Sequence, residues 1–99
     1  MVKLVWTEVS RDDLKEIFDF IAEDSTRYAS ITVNKIYQQA QLITNNPAMG
    51  RIVPEFGEKT IRELIVGNYR IVYGITSEFQ VDILRVYHSA RLLSSDSLK

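Results

Sequence analysis

Apolar positions in the first half of the chain recur with the spacing of one strand and then of two helices. Residues 3–7 form a short segment that contains β-branched and aromatic side chains, which predicts an opening strand. Ser10 then offers a helix N-cap, and Asp12 and Asp13 follow where carboxylates stabilise a first turn. Apolar residues next recur at three- and four-residue steps and predict one buried helical stripe, formed by Leu14, Ile17, Phe18 and Ile21.

A second helical stripe follows the polar break at residues 24–26 and ends at the Asn-Asn-Pro sequence of residues 45–47. Its apolar positions are Val33, Ile36, Tyr37, Ala40 and Ile43. The two segments are therefore predicted to form an antiparallel helical hairpin. Ile31 and Leu42 lie off the stripe, which fits either a partner-binding surface or ordinary exposed aliphatic side chains.

The second half of the chain has the pattern of antiparallel strands joined by tight turns. A loop rich in glycine and proline occupies residues 47–59, and strand-like runs follow at 60–66, 69–76 and 79–88. The two-residue gaps between these runs predict a three-stranded antiparallel meander. The predicted fold class is α+β in a single domain over residues 1–99: an N-terminal strand, a helical hairpin and a meander that completes one sheet.

Two-residue hairpins determine which side chains share a face of the predicted sheet. The expected pairs are Val66 with Tyr69 and Thr76 with Phe79. One face then packs on the helices through Leu64, Val66, Tyr69, Ile71, Tyr73, Ile75, Leu84 and Val86. The other face is open to solvent and carries Ile61, Glu63, Ile65, Arg70, Val72, Val81, Ile83, Arg85 and Tyr87.

Arginines on the open face predict either an anion-binding site or an internal ion network. A guanidinium group keeps its charge and offers paired donors that fit phosphate or carboxylate. In the predicted register Arg70 lies opposite Arg85, and the two repel unless an anion lies between them. Glu63, diagonal to Arg70, supplies one carboxylate. The residues alone leave both hypotheses open: a structural Arg–Glu–Arg network, or a receptor for phosphate or for a partner's carboxylate.

Composition limits the classes of partner. The chain has 99 residues, of which 45% are hydrophobic and 25% charged, as expected for one folded domain. Its net charge of −1 argues against attachment to bulk DNA or RNA, whose binders carry a basic excess. The sequence has no cysteine, no secretory leader and no bilayer-spanning segment, so we expect a cytoplasmic protein without membrane association. Leu92, Leu93 and Leu98 predict a short terminal helix.

His88 is the only histidine, which excludes a two-histidine metal site within one chain, and neither a metal nor a cofactor is expected. Histidine can act as a general acid or base near neutral pH. In the predicted register, however, His88 lies on the face opposite Arg70, which favours a structural hydrogen bond over catalysis. Glu55, in the proline-flanked loop, is a candidate base, although loop carboxylates are usually only solvated.

The order of the elements and several short motifs resemble the RelE/ParE superfamily of type II toxin–antitoxin toxins. The motifs are Trp6-Thr7 with Asp13-Leu14, Gly50-Arg51 with Pro54-Glu55, Ile61-Arg62-Glu63, Tyr69-Arg70-Ile71-Val72-Tyr73 and Val86-Tyr87-His88-x-x-Arg91. The resemblance covers nearly the whole chain. It implies a bacterial or archaeal toxin bound by a cognate antitoxin from a neighbouring reading frame, which reaches DNA only through that complex.

The resemblance to the nuclease branches of this superfamily is partial. RelE-type nucleases, which cleave mRNA on the ribosome, carry paired lysines on the strand before the Tyr-Arg motif. This chain has Ile61 and Glu63 there, which removes groups that would stabilise phosphoryl-transfer charge. The YoeB-type set of Glu, Arg and His matches Glu55, Arg70 and His88, but a serine stands in place of that branch's terminal tyrosine.

The resemblance to the ParE branch is fuller and includes the Trp-Thr opening, the Gly-Arg and Pro-Glu loop, Ile-Arg-Glu and His-x-x-Arg. That branch is associated with inhibition of DNA gyrase, so the resemblance implies a gyrase inhibitor without chemistry of its own. One alternative is a ribosome-dependent mRNA endoribonuclease with Arg70 on the phosphate, His88 as acid and Glu55 as base. Another is a degenerate toxin that keeps only antitoxin binding. An acidic antitoxin tail is expected at the Arg70/Arg85 face. The residues expected to bind target or antitoxin are Arg62, Arg70, Arg85, His88 and Arg91.

Overall fold

Two helices form the hairpin that the apolar spacing predicts. In the computed structural model, which describes residues 2–89, α1 spans Glu8–Ala22 and α2 spans Thr26–Gln41. The hydroxyl of Ser25 caps α2 by accepting a hydrogen bond from a backbone N–H of its first turn. The prediction that Ser10 caps α1 was wrong. Thr7 is the cap, because its hydroxyl accepts the Ser10 N–H at 3.1 Å, and Ser10 is buried inside the first turn.

The apolar stripes of the helices face the sheet. A 3₁₀ turn over Leu42–Thr44 continues α2, and the buried residues of this stretch are Ala29, Ile36, Ala40 and Ile43. Ile31 is exposed, as expected for a residue off the stripe. Tyr37 belongs to the stripe by spacing, yet it is about half exposed and stacks on Trp6 with the ring centroids 5.7 Å apart.

Five strands form one sheet, which confirms the predicted α+β class. They are β1 (Lys3–Trp6), β2 (Arg51–Ile52), β3 (Ile61–Val66), β4 (Tyr69–Ser77) and β5 (Gln80–His88), in the order β1-β5-β4-β3-β2. β1 pairs with β5 in parallel, and the other neighbours are antiparallel. The strand β2 was not predicted: it forms inside the loop of residues 47–59 and adds an edge to the meander.

The register of the second hairpin differs from the prediction. Val66 lies opposite Tyr69 as expected, but the second turn falls one residue later, so that Ser77 rather than Thr76 starts the pairing with β5. Two irregularities in the β4–β5 ladder change the pairing by one residue in opposite directions, so they offset each other before the ladder reaches Arg70.

Because the turn falls one residue later than expected, the predicted pairing of Arg70 with Arg85 is wrong. Arg70 lies opposite Tyr87, and Arg85 lies opposite Val72. The ladder is irregular near residue 84, where Ile83 and Arg85 lie opposite adjacent residues of β4. This change in alternation moves two residues from the predicted open face into the core between sheet and helices, namely Val81 and Ile83.

The face away from the helices is not open, contrary to the prediction. Val53, from the loop after β2, is fully buried against Val72 and Tyr87, and Phe56 and Ile61 pack at the margin of this small cluster. A segment that composition marks as a loop therefore covers part of the arginine-bearing face.

Two predictions on the C-terminal tail, the short terminal helix and the site residue Arg91, lie outside the described residues. Of the helices within residues 2–89, none combines the length and the apolar composition needed to cross a bilayer.

Candidate functional site

Gly50 and Tyr73 hold β2 against the sheet. The backbone N–H of Gly50 donates to the Tyr73 hydroxyl at 2.9 Å, and this hydroxyl donates to the carbonyl of Pro47 at 2.7 Å. A Cβ on residue 50 would lie 2.5 Å from the Glu63 carbonyl oxygen and 2.6 Å from the Tyr73 hydroxyl, so only glycine fits. This close approach places Arg51 directly opposite Glu63.

Tyr73 is fully buried, and burial raises the pKa of its phenol. The hydrogen bond from Gly50 and the charge of Arg62 oppose that shift in pKa without cancelling it. Tyr73 is therefore the neutral, hydrogen-bonded centre around which the chain from Pro47 to β2 is arranged.

Arg62 braces the same loop from its two ends. Its Nη1 donates to the Gly50 carbonyl at 2.9 Å and its Nε to the Lys59 carbonyl at 3.1 Å. The side chain is half-buried beside the loop. In this structure Arg62 thus binds backbone carbonyls of its own chain.

Glu63 is the centre of a buried ion network on the face away from the helices. Its side chain has no exposed surface, and Oε2 accepts a hydrogen bond from Nε of Arg51 at 2.6 Å. Oε1 accepts from Arg70 through Nε at 2.8 Å and through Nη2 at closer range. The hypothesis that Glu63 neutralises Arg70 is confirmed, but Arg51 takes the place that the predicted network gave to Arg85.

Arg70 contacts a second carboxylate, that of Glu55. Nη1 and Nη2 of Arg70 donate to the two Glu55 oxygens, each at 3.3 Å. The Arg70 side chain is only 6% exposed. Burial lowers its pKa, but the hydrogen bonds to Glu63 and Glu55 outweigh that effect and the pKa lies above its ordinary value. Arg70 is thus a permanent cation whose charge is balanced within the chain.

Arg85 belongs to a separate ion pair that joins α1 to β5. Its Nε and Nη2 donate to the two carboxylate oxygens of Asp13 at 2.8 and 2.9 Å, a bidentate contact. The hydrogen bond to Asp13 raises the pKa of Arg85, while burial opposes the rise. Asp13 also accepts the backbone N–H of Val86 at 2.9 Å, where β5 runs on beyond its pairing with β1.

His88 lies opposite Tyr69 with an edge-on ring contact of 5.8 Å. It lines a cleft of about 370 Å³ formed with Ile17 and Phe20 of α1. Arg70 lies opposite the neighbouring residue of β5, so His88 points to the other side of the sheet, as the sequence predicts. Of the three candidate nuclease residues, the structure brings Glu55 and Arg70 together and places His88 apart.

Sequence reasoning gave no site role to Arg51 or Asp13. Arg51 appears in the sequence only as half of a Gly-Arg pair, and its place beside Glu63 depends on the unpredicted strand β2. Asp13 has the position of a first-turn carboxylate, and its role on Arg85 follows from a contact between residues far apart in sequence. Within residues 2–89, no three histidine, aspartate or glutamate side chains converge to hold a metal ion.

Comparison with known proteins places this chain in a family. Residues 4–93 match the family described as "ParE toxin of type II toxin-antitoxin system, parDE". A relative in Caulobacter vibrioides, named Toxin RelE2, is 29% identical over 92 residues, which cover 93% of this chain and all of the relative.

Solved structures share the fold at low sequence identity. A chain of the chromosomal ParDE system from P. aeruginosa has a TM-score of 0.74 at 21% identity and covers 89% of this chain and 96% of its own. A chain of the RelBE2 toxin–antitoxin complex from Mycobacterium tuberculosis has a TM-score of 0.64 at 23% identity, and the match covers 88% of this chain and 96% of that one. A YoeB/ParE toxin from Agrobacterium tumefaciens has a TM-score of 0.59 at 22% identity, and the match covers 88% of this chain and 98% of that one.

The family match spans nearly all of the chain, and the sheet with its helical hairpin agrees with the folds of the solved relatives. This protein therefore belongs to the ParE toxin family and is a toxin of the ParE/RelE superfamily of type II toxin–antitoxin systems.

Proposed function

We propose that this toxin inhibits DNA gyrase by binding it, carries out no chemistry of its own, and is neutralised by a cognate antitoxin. The observation that carries the proposal is the state of Arg70, whose guanidinium is buried between the carboxylates of Glu63 and Glu55. An arginine in that position stabilises the fold. A scissile phosphate would have to displace the chain's own carboxylates to reach it.

Charge around Arg70 also argues against RNA cleavage. Phosphoryl transfer develops negative charge that a nuclease stabilises with preorganised cations. Strand β3 supplies the carboxylate of Glu63 beside Arg70, and it carries no lysine. The net charge of −1 likewise suits a protein that binds another protein better than one that binds ribosomal RNA.

Gyrase as the target rests on the resemblance to the ParE branch, and the family match supports it. The antitoxin as partner is supported by relatives that come from a ParDE system and from a RelBE2 toxin–antitoxin complex. An inhibitor that acts by occupying a protein surface needs no catalytic residue, which agrees with the separation of His88 from Arg70.

A supercoiling assay with purified gyrase tests the proposal. Increasing amounts of the toxin should reduce the supercoiling of relaxed plasmid, and adding the antitoxin encoded beside it first should restore the activity. Full supercoiling at a large molar excess of folded toxin would contradict the gyrase assignment.

The contact between Glu55 and Arg70 favours one alternative, a ribosome-dependent endoribonuclease, and the name of the Caulobacter relative agrees with it. In that mechanism Arg70 would hold the phosphate, Glu55 would take the proton of the attacking hydroxyl as base, and His88 would give a proton to the leaving oxygen as acid. Transcript cleavage in a translating extract, lost in His88→Ala, would establish this function, because His88 is exposed and its substitution leaves the buried network in place.

A further inference from the structure

Arg51 is the exposed end of the buried ion network. Its side chain is 64% exposed, although its Nε is bound to the fully buried carboxylate of Glu63 at 2.6 Å. Within residues 2–89, the two terminal amino groups of Arg51 have no hydrogen-bond partner. A guanidinium fixed at one nitrogen and open at the other two is a receptor with unused donors.

Glu63 makes this receptor rigid and leaves the terminal amino groups of Arg51 at the surface. Both oxygens of its carboxylate are occupied, one by Arg51 and the other by Arg70. Glu55 also contacts Arg70, so the network holds two carboxylates and two guanidinium groups, and the terminal amino groups of Arg51 form its exposed cationic end. Because Nε is already anchored, less side-chain entropy is lost when the terminal amino groups bind an anion.

The surroundings of Arg51 favour a carboxylate on a polypeptide over a phosphate. A nucleic acid brings several neighbouring phosphates, which Glu63 directly behind the guanidinium repels more strongly than it repels one carboxylate. Ile65 follows Glu63 by two residues on the same face of β3 and is 48% exposed. A peptide can offer both a carboxylate for Arg51 and an apolar side chain for Ile65.

The edge of the sheet beside Ile65 has room for an extended segment. β2 is the last strand of the sheet and pairs only with Arg62 and Glu63. Beyond that pairing, the outer edge of β3 next to Ile65 has no neighbouring strand among residues 2–89. Free strand edges accept extended peptides through main-chain hydrogen bonds, with alternate side chains giving specificity.

We propose that Arg51 binds a carboxylate of the antitoxin, on an extended segment that lies along the free edge of β3 and covers Ile65. This inference rests on the proposed antitoxin partner. It replaces the expectation of an acidic tail at Arg70 and Arg85, because both of these cations already hold carboxylates of their own chain.

Isothermal titration calorimetry with the antitoxin encoded beside the toxin gene tests this site. Arg51→Gln should weaken antitoxin binding about tenfold, the effect of losing one charge-assisted contact. Arg51→Lys should lose less, because it keeps the charge without the paired donors. The matched control is Arg27→Gln, an exposed arginine of α2, which should bind within about twofold of wild type.

A charge exchange identifies the partner group. Arg51→Glu should bind poorly, and one Asp or Glu of the antitoxin, when changed to Lys, should restore the affinity. Equal binding by wild type and Arg51→Gln, or no restoration at any antitoxin carboxylate, would overturn the inference. The inference would also be overturned if Arg51→Gln lost binding to an RNA or DNA oligonucleotide but bound the antitoxin as well as wild type does.

Measurements of variant stability and of gyrase supercoiling distinguish failure of the Arg51 proposal from failure of the proposed function. If Arg51→Gln does not fold, the antitoxin affinity of Arg51→Lys is compared with that of wild type to decide whether Arg51 contacts the antitoxin. This variant should fold, since a lysine still neutralises Glu63. Wild-type toxin that fails to bind the antitoxin would overturn both proposals. Wild-type toxin that binds it and inhibits gyrase, while Arg51→Gln binds equally well, would overturn only the role of Arg51.

Discussion

The two faces of the sheet are closed in different ways. The face toward the helices is covered by apolar side chains such as Ile36, Ile43 and Ile71, which pack well as long as their total volume is kept. The other face is closed by a few apolar residues and by an ion network in which Glu63 and Arg70 are both buried. The two faces should therefore respond differently to substitution.

The difference lies in what a single change leaves behind. Shortening a buried aliphatic side chain leaves a small cavity, and the cost grows with the volume lost. Removing one member of a buried ion pair leaves an uncompensated charge in a poorly solvated place, which costs more. The arginine-bearing face should consequently be the less tolerant of the two, although it contains the smaller apolar cluster.

Glu63→Gln should have the largest effect on stability. It removes the carboxylate that both Arg51 and Arg70 contact, and we expect a loss of about 3–5 kcal/mol in the free energy of unfolding. Urea unfolding followed by circular dichroism measures this loss. Glu58→Gln, an exposed glutamate of the neighbouring loop, is the matched control and should stay near wild type.

Gly50→Ala should follow, with a loss of about 1–3 kcal/mol, because the added Cβ meets the Glu63 carbonyl and the Tyr73 hydroxyl. Gly74→Ala is the control, since its Cβ would meet only the Leu84 side chain, at 3.3 Å. Thermal unfolding of the two variants compares them directly. If both lose the same stability, the close approach at Gly50 is not what holds β2.

Tyr73→Phe should cost about 1–2 kcal/mol near neutral pH, because the N–H of Gly50 and the carbonyl of Pro47 lose their partner. It should also change the response to alkali. Burial raises the folded-state pKa of Tyr73, so its contribution is complete below the unfolded pKa of about 10. That contribution is lost as the pH rises through the folded pKa.

Unfolding free energies measured from pH 8 to 12 test the alkaline response of Tyr73→Phe. Wild type should lose stability more steeply above pH 10 than the variant does. Parallel curves for the two proteins would show that Tyr73 titrates in the folded state as it does in the unfolded chain.

Ile71→Val should have the smallest effect of the four substitutions. Ile71 is fully buried on the helix-facing side, and removal of one methyl group there should cost about 0.5–1.5 kcal/mol. The same urea titration measures it. A loss as large as that of Glu63→Gln would remove the contrast between the two faces.

The sequence predicted the parts of the fold that depend on local signals. Helical spacing identified the hairpin, and two-residue gaps identified the meander, because both signals are local. The Val66–Tyr69 pairing followed from its turn. The β4–β5 register did not, because the turn lies one residue later than predicted, and this error placed Arg70 opposite Arg85. The two irregularities in this ladder have no signature in the residues of either strand, and they moved Val81 and Ile83 to the helix-facing side.

The candidate site was predicted less well than the fold. Proximity of Glu63 to Arg70 followed from adjacent strands, and the separation of His88 from Arg70 followed from strand alternation. The contacts of Arg51 and Arg85 did not. One depends on a two-residue strand inside a loop, and the other joins residues 13 and 85 across the packing of α1 on β5. Local patterns carry no information on such contacts.

A double-mutant cycle on Glu63 and Arg70 tests most directly whether the chain itself neutralises Arg70. Glu63→Gln, Arg70→Gln and the double variant are compared with wild type by urea unfolding. We expect each single change to be strongly destabilising and the double variant to recover about 2–3 kcal/mol relative to their sum. Additive losses, with Arg70→Gln as stable as wild type, would contradict this account and leave Arg70 free to bind a phosphate.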